Sequence, residues 1–160
     1  MTFRIGGALP ALFTIVLLAS VTFGQDSNSG APAVQCAAPV KYVATFQQAK
    51  CVEVTLRYDL KLMRVFSNDN ATLGTYFTTT CLTSPRYAIR KLALKQEWGN
   101  RATKMVEVTV PAGTTIYIGI AAFQDPETLY PGGAQQTVVV DISKLVWGTP
   151  RRFISERCGR

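Results

Sequence analysis

The residues of this chain that could do chemistry are carboxamides, arginines, hydroxyls and aromatic rings. Histidine is absent from all 160 residues, which removes Ser-His-Asp and Cys-His nucleophilic sets, zincin motifs and a histidine general base. The 10 acidic residues are scattered and suggest no paired-carboxylate site. No Walker or Rossmann glycine pattern is present. The densest signal is Tyr130-Pro131-Gly132-Gly133-Ala134-Gln135-Gln136-Thr137-Val138-Val139-Val140-Asp141. Gly132 and Gly133 let a backbone take positive φ or approach a ligand closely. Gln135 and Gln136 then enter a β-branched run on opposite faces, because side chains alternate along a strand. One of them is therefore aimed at whatever the glycine loop surrounds. Together with arginine, hydroxyl and aromatic groups, this set suits an anionic substrate whose reaction develops positive charge. Arginine holds phosphate, aromatic rings wall the substrate, and a neutral polar group steadies the cation.

The elements that must position these residues are mostly short strands. Val40 to Leu60 carries β-branched and aromatic residues with partial alternation over Cys51–Leu56, which predicts one or two strands. Lys61–Phe66 is a further strand, closed by the turn signal Ser67-Asn68-Asp69-Asn70. Gly74–Thr79 is the next. Ser84 as N-cap and Pro85 at the first helical position open one helix, with Ile89, Leu92 and Ala93 on one face, fading at Trp98-Gly99-Asn100. Trp98 is expected to cap that helix against the sheet. Arg86, Arg90, Lys91 and Lys95 are placed on its solvated side. Met105–Val110 alternates cleanly and stops at the Pro111-Ala112-Gly113 turn. Thr115–Ile120 and Val138–Ile142 follow as strands, and a turn or short helix precedes Trp147. Six or seven strands against one main helix predict a small α+β domain, β-dominated, with a largely antiparallel sheet.

Residues 1–24 read as a signal peptide, with Arg4, an apolar run from Ala8 to Ala19 and the small-residue exit Thr22-Phe23-Gly24. The apolar run is too short for a lasting membrane anchor, so the protein is expected to be secreted. Residues 25–39 read as a flexible leader and 40–160 as a single domain. Cys36, Cys51, Cys81 and Cys158 are an even set on an oxidising route, which implies two disulfides with three possible pairings. Cys36–Cys51 with Cys81–Cys158 is the expected one, a local clip and a pin for the C-terminal tail. The absence of CxxC pairs and of histidine argues against zinc. Asn70-Ala71-Thr72 is a glycosylation acceptor in a eukaryotic host. The net charge of +7 is not arranged as interleaved basic and aromatic residues, so nucleic acid is not the expected partner.

Cleavage of the nicotinamide–ribose bond of NAD meets the chemical description above. It passes through an oxocarbenium-like state, and the leaving group is activated by its own charge. The run Gly119-Ile120-Ala121-Ala122-Phe123 … Tyr130-Pro131-Gly132-Gly133-Ala134-Gln135-Gln136 resembles the C-terminal signature of the tuberculosis necrotizing toxin family. Its members are NAD(P) glycohydrolases found as bacterial polymorphic-toxin domains and secreted fungal NADases. Leu62-Met63-Arg64-Val65-Phe66 … Gly74-Thr75-Tyr76-Phe77 is similar to the family's arginine-bearing strand followed by a glycine and an aromatic. The Pro111-Ala112-Gly113-Thr114 turn is similar to turns in such toxin domains. The resemblance spans roughly Lys61 to Asp141. It implies Gln136 as the catalytic carboxamide and Arg64 as the substrate-binding arginine. It also implies NAD or NADP as substrate, with no cofactor or metal. The cleft is then walled by Tyr76 and Phe77 and approached through Gly132 and Gly133, with Gln135 as the second carboxamide. Ala134 stands at the third family glycine, Phe123 at a family proline, and the family histidine has no counterpart. Two alternatives therefore accompany a hydrolase, toxin-like reading. One is a non-catalytic secreted binding module. The other is an ADP-ribosyltransferase, although Glu97 and Glu107 form no Glu-x-Glu signature.

Overall fold

The computed structural model of the chain describes residues 36–68, 73–155 and 158. The signal peptide, most of the leader and the Asn70 acceptor lie outside the described residues. Eight strands and two short helices are named: α1 (Val40–Val43), β1 (Phe46–Thr55), β2 (Leu60–Phe66), β3 (Tyr76–Phe77), α2 (Pro85–Lys91), β4 (Lys104–Val110), β5 (Thr115–Ala121), β6 (Gln135–Val138), β7 (Val146–Trp147) and β8 (Arg151–Arg152). A 3-10 turn covers Gln96–Trp98. The strands make two sheets, ordered β1-β5-β6-β3 and β2-β4-β7, with β8 also on β4. Every named strand pair is antiparallel, so the expected β-dominated α+β class is the observed one.

The sheets meet where Met63 of β2 and Thr78, just past β3, exchange two backbone hydrogen bonds of 2.9 Å. The main core fills the space around this junction with Leu62, Phe66, Phe77, Val106, Val108, Val110, Ile116, Val139 and Leu145. The alternation of β4 sends Val106, Val108 and Val110 into that core and Met105 to a second cluster, with Val65, Leu82, Ala88 and Phe153 beneath α2. The expected disulfides are both present, Cys36–Cys51 and Cys81–Cys158, with sequence separations of 15 and 77.

Three elements depart from the sequence expectation. The segment before β1 is one helical turn, not a strand. The last strand of the Gln-rich run is Gln135–Val138, not Val138–Ile142. Its partners decide this: β5 pairs with it from Ile120↔Gln135 to Tyr117↔Val138, and β3 offers only Tyr76 and Phe77. Beyond Val139, Asp141 bonds the Ser143 amide and hydroxyl and turns the chain away. The helix opens as expected, with the Ser84 side chain accepting from the Tyr87 amide. It stops at Lys91, well short of Trp98, because its last carbonyls leave the helical ladder: Arg90 O accepts from Gly132 N and Lys91 O from Ala134 N, both at 3.0 Å. Arg86 and Arg90 are exposed on α2, whereas Lys91 and Lys95 are half-buried and Lys95 lies beyond the helix.

Candidate active site

The β3–β6 and β2–Thr78 pairings bring three distant residues to one cleft. Arg64 comes from β2, Tyr76 from β3 and Gln136 from β6. They line a cavity of about 310 Å³ together with Thr45, Phe77, Trp98, Asn100, Ala122 and Gln124. Its apolar wall includes Met63, Val65, Leu92, Ala93 and Leu94, so the polar groups are few and placed, as in a small-molecule site.

Arg64 donates from Nη1 to Tyr76 O at 3.1 Å and from Nη2 to Leu73 O at 3.4 Å. The guanidinium lies flat over Gly74, where a Cβ would fall 2.3 Å from Nη2. Burial lowers its pKa from the ordinary arginine value; a desolvated cation of this kind is stabilised by an arriving anion. Tyr76 is 38% exposed and packs edge-on against Tyr42, with ring centroids 5.8 Å apart. Burial, with the neighbouring Tyr42, pushes its phenol above the usual tyrosine value, and the Thr45 side-chain hydrogen bond partly opposes this. The phenol thus stays protonated through neutral pH.

Gln136 is only 7% exposed. Its Nε2 donates to Thr45 Oγ1 at 2.9 Å and to Thr45 O at 3.2 Å. Gln135 faces the other way. Its Oε1 accepts from the Thr79 amide and hydroxyl at 2.7 and 3.0 Å, and its Nε2 donates to Thr137 Oγ1 at 2.5 Å. The strand alternation expected from sequence therefore separates the two: Gln136 lines the cleft and Gln135 ties β6 to the segment after β3. Phe77 is buried, belongs to the main core and also lines the cleft.

The glycine loop has a different job from the ligand approach expected of it. Gly132 (φ 69°) is pressed on the Ala121 carbonyl, 2.3 Å from where its Cβ would be. The amides of residues 132, 133 and 134 are spent on Arg90 O, Ala121 O and Lys91 O. Gly132 caps α2 and Gly133 ties the loop to the end of β5, and neither is among the residues lining the cleft. Trp98 is also corrected: it is 60% exposed at the cleft, not packed against the sheet, because α2 ends before reaching it. Thr45, Asn100 and Gln124 carry no spacing signal and were not foreseen.

Among the described residues no carboxylate lines the cleft. Glu107 is paired with Lys61 at 2.8 Å and Glu97 with Lys95 at 3.3 Å. Among the described residues, too, no cluster of three or more His, Cys, Asp or Glu is disposed to hold a metal. No helix there is long and apolar enough to cross a membrane.

Two antiparallel sheets joined at one bridge, pinned by two disulfides and opening a cleft at their junction, define the class: a small disulfide-bonded α+β fold. Among solved structures the chain is similar to Tne2, determined in complex with Tni2, with a TM-score of 0.54 and 22% identity over 67% of this chain and 93% of that one. At that identity the likeness is one of fold. No protein-family model matches the chain, and no curated protein matches it.

Proposed function

We propose that the protein is a secreted NAD(P) glycohydrolase that cleaves the nicotinamide–ribose bond, with a toxin- or effector-like role. The observation that carries this is the convergence of Arg64, Tyr76 and Gln136, far apart in sequence, on one cleft. These are the positions that the resemblance to the tuberculosis necrotizing toxin family assigns to the substrate. The fold likeness to Tne2 supports the same reading at the level of architecture. The disulfides accord with an oxidising, extracellular route.

In the reaction proposed, Arg64 orients the pyrophosphate, and Tyr76, Phe77 and the exposed Trp98 wall the rings. The C–N bond to nicotinamide breaks with its electron pair leaving on the neutral nicotinamide. The ribosyl cation that forms is steadied by the Gln136 carboxamide and captured by water. The products are nicotinamide, ADP-ribose and a proton. No group must protonate the leaving base, so the lack of histidine is compatible with this chemistry. Since Tne2 was determined in complex with Tni2, a protein partner is one to seek.

A non-catalytic binding module is the second reading, favoured by the missing family histidine and by the commitment of the glycine-loop amides to the fold. The test is nicotinamide release from NAD and NADP by the oxidised protein, followed chromatographically beside Gln136→Ala. Release that vanishes in the variant supports the glycohydrolase. Folded, oxidised wild-type protein that releases none replaces it with the binding module.

A further inference from the structure

We infer that Thr45 is the positioning residue of the cleft: it turns the Gln136 carboxamide so that its oxygen, not its amine, faces the ligand. This rests on the glycohydrolase reading for its chemical meaning but on hydrogen-bond geometry for its substance.

Thr45 meets Gln136 with two different groups. Its backbone carbonyl can only accept, so the Gln136 atom 3.2 Å away must be the nitrogen. The Thr45 hydroxyl has one proton, held by Tyr42 O at 2.7 Å. Its oxygen therefore accepts from Gln136 Nε2 at 2.9 Å. Both protons of the Gln136 amine are thereby used. Gln136 Oε1 takes no protein donor, and no partnerless side-chain N or O among the described residues is sealed from solvent. In a residue that lines the cleft, that oxygen is the atom presented to it.

Tyr76 lines the same cleft as Thr45 and Gln136. The cavity is polarised. Arg64 brings positive charge to the cleft, and Gln136 Oε1 brings the lone pairs of a carbonyl oxygen. An acceptor at that point favours an electron-poor ribosyl carbon and a water or ribose hydroxyl that donates a hydrogen bond. It disfavours a second carboxylate or phosphate at that end. Nothing in the sequence marks Thr45, which meets Gln136 across 91 positions.

Thr45→Val keeps the shape and removes the hydroxyl, and Thr45→Ser restores it. The expected result is a fall in kcat of about tenfold in the valine variant with KM within about twofold, and recovery in the serine variant. In ¹⁵N spectra of the wild-type protein the Gln136 side-chain amide protons exchange slowly, and in the valine variant at least one loses protection. Wild-type kcat in a folded Thr45→Val protein overturns the inference. So do fast-exchanging Gln136 amide protons in the wild type, a measurement needing no variant to fold. If the wild type releases no nicotinamide, the glycohydrolase reading falls and the amide protons alone decide the role of Thr45. Slow exchange upholds it and fast exchange ends it.

Discussion

At the scale of single residues, the site is a matter of which atom faces the cleft. Replacing Gln136 with Glu places a stronger acceptor at the same point, and a solvent-facing carboxamide would tolerate it. Here the Thr45 carbonyl, 3.2 Å from Nε2, would face an oxygen instead of a donor. Leaving it so costs on the order of 1–3 kcal/mol. Gln136→Glu is therefore expected to lose nicotinamide release nearly as fully as Gln136→Ala and to melt below wild type; retained turnover would refute the orientation. Arg64→Lys makes a parallel test. A lysine keeps the charge but loses the planar fork that reaches both Tyr76 O and Leu73 O. It should raise KM for NAD by about tenfold while leaving kcat closer to wild type. A larger loss in kcat than in affinity would move Arg64 from binding to the chemical step. The Gln135–Gln136 pair was legible from strand alternation, and Arg64 and Tyr76 through the resemblance. Thr45 and Trp98 were not, since threonine in a Val-Ala-Thr-Phe stretch carries no period or motif, and the place of Trp98 depends on where a helix stops.

At the scale of elements, strands announced by alternation were found nearly where expected, β2, β4 and β5 above all. Pattern alone specifies a face but not a partner. Hence the β-branched run after the glutamines looked like the strand, while pairing with β5 and the two-residue β3 moved it to Gln135–Val138. The glycine loop shows the same limit. Its composition said turn or ligand cradle; its hydrogen bonds make it the C-terminal cap of α2. Both glycines have positive φ, but only Gly132 also lacks room for a Cβ. Gly132→Ala should cost on the order of 3 kcal/mol, strain and clash together. Gly133→Ala should cost about 1 kcal/mol from backbone strain alone. Thermal melts of the two variants measure the difference, and equal losses would contradict the packing of Gly132 on Ala121. Because β6 carries Gln136, the Gly132 variant should also lose activity at temperatures where it remains folded.

At the scale of the whole molecule, the two disulfides divide stability from site geometry. In the loop-entropy account a cross-link restrains the unfolded chain more the longer the loop it closes. Loops of 15 and 77 residues then correspond to about 3 and about 4.5 kcal/mol. Removing Cys81–Cys158 by double serine substitution should therefore lower the denaturation midpoint further than removing Cys36–Cys51. Activity should rank the other way. Cys36–Cys51 fastens the segment whose Ala38, Tyr42 and Phe46 pack beside β6, and that segment carries Thr45. Its release loosens the hydrogen bonds that orient Gln136 while leaving both sheets paired. Cys158 instead follows β8, where Phe153 is already buried and its amide bonds Thr103 O at 2.8 Å, so the cleft keeps its shape until the domain unfolds. Denaturant titration and nicotinamide release on the two double variants separate these effects. A Cys36/Cys51 variant with wild-type kcat would mean that packing alone holds Thr45 in place; a kcat loss without a matching loss of midpoint would tie the N-terminal clip to the site.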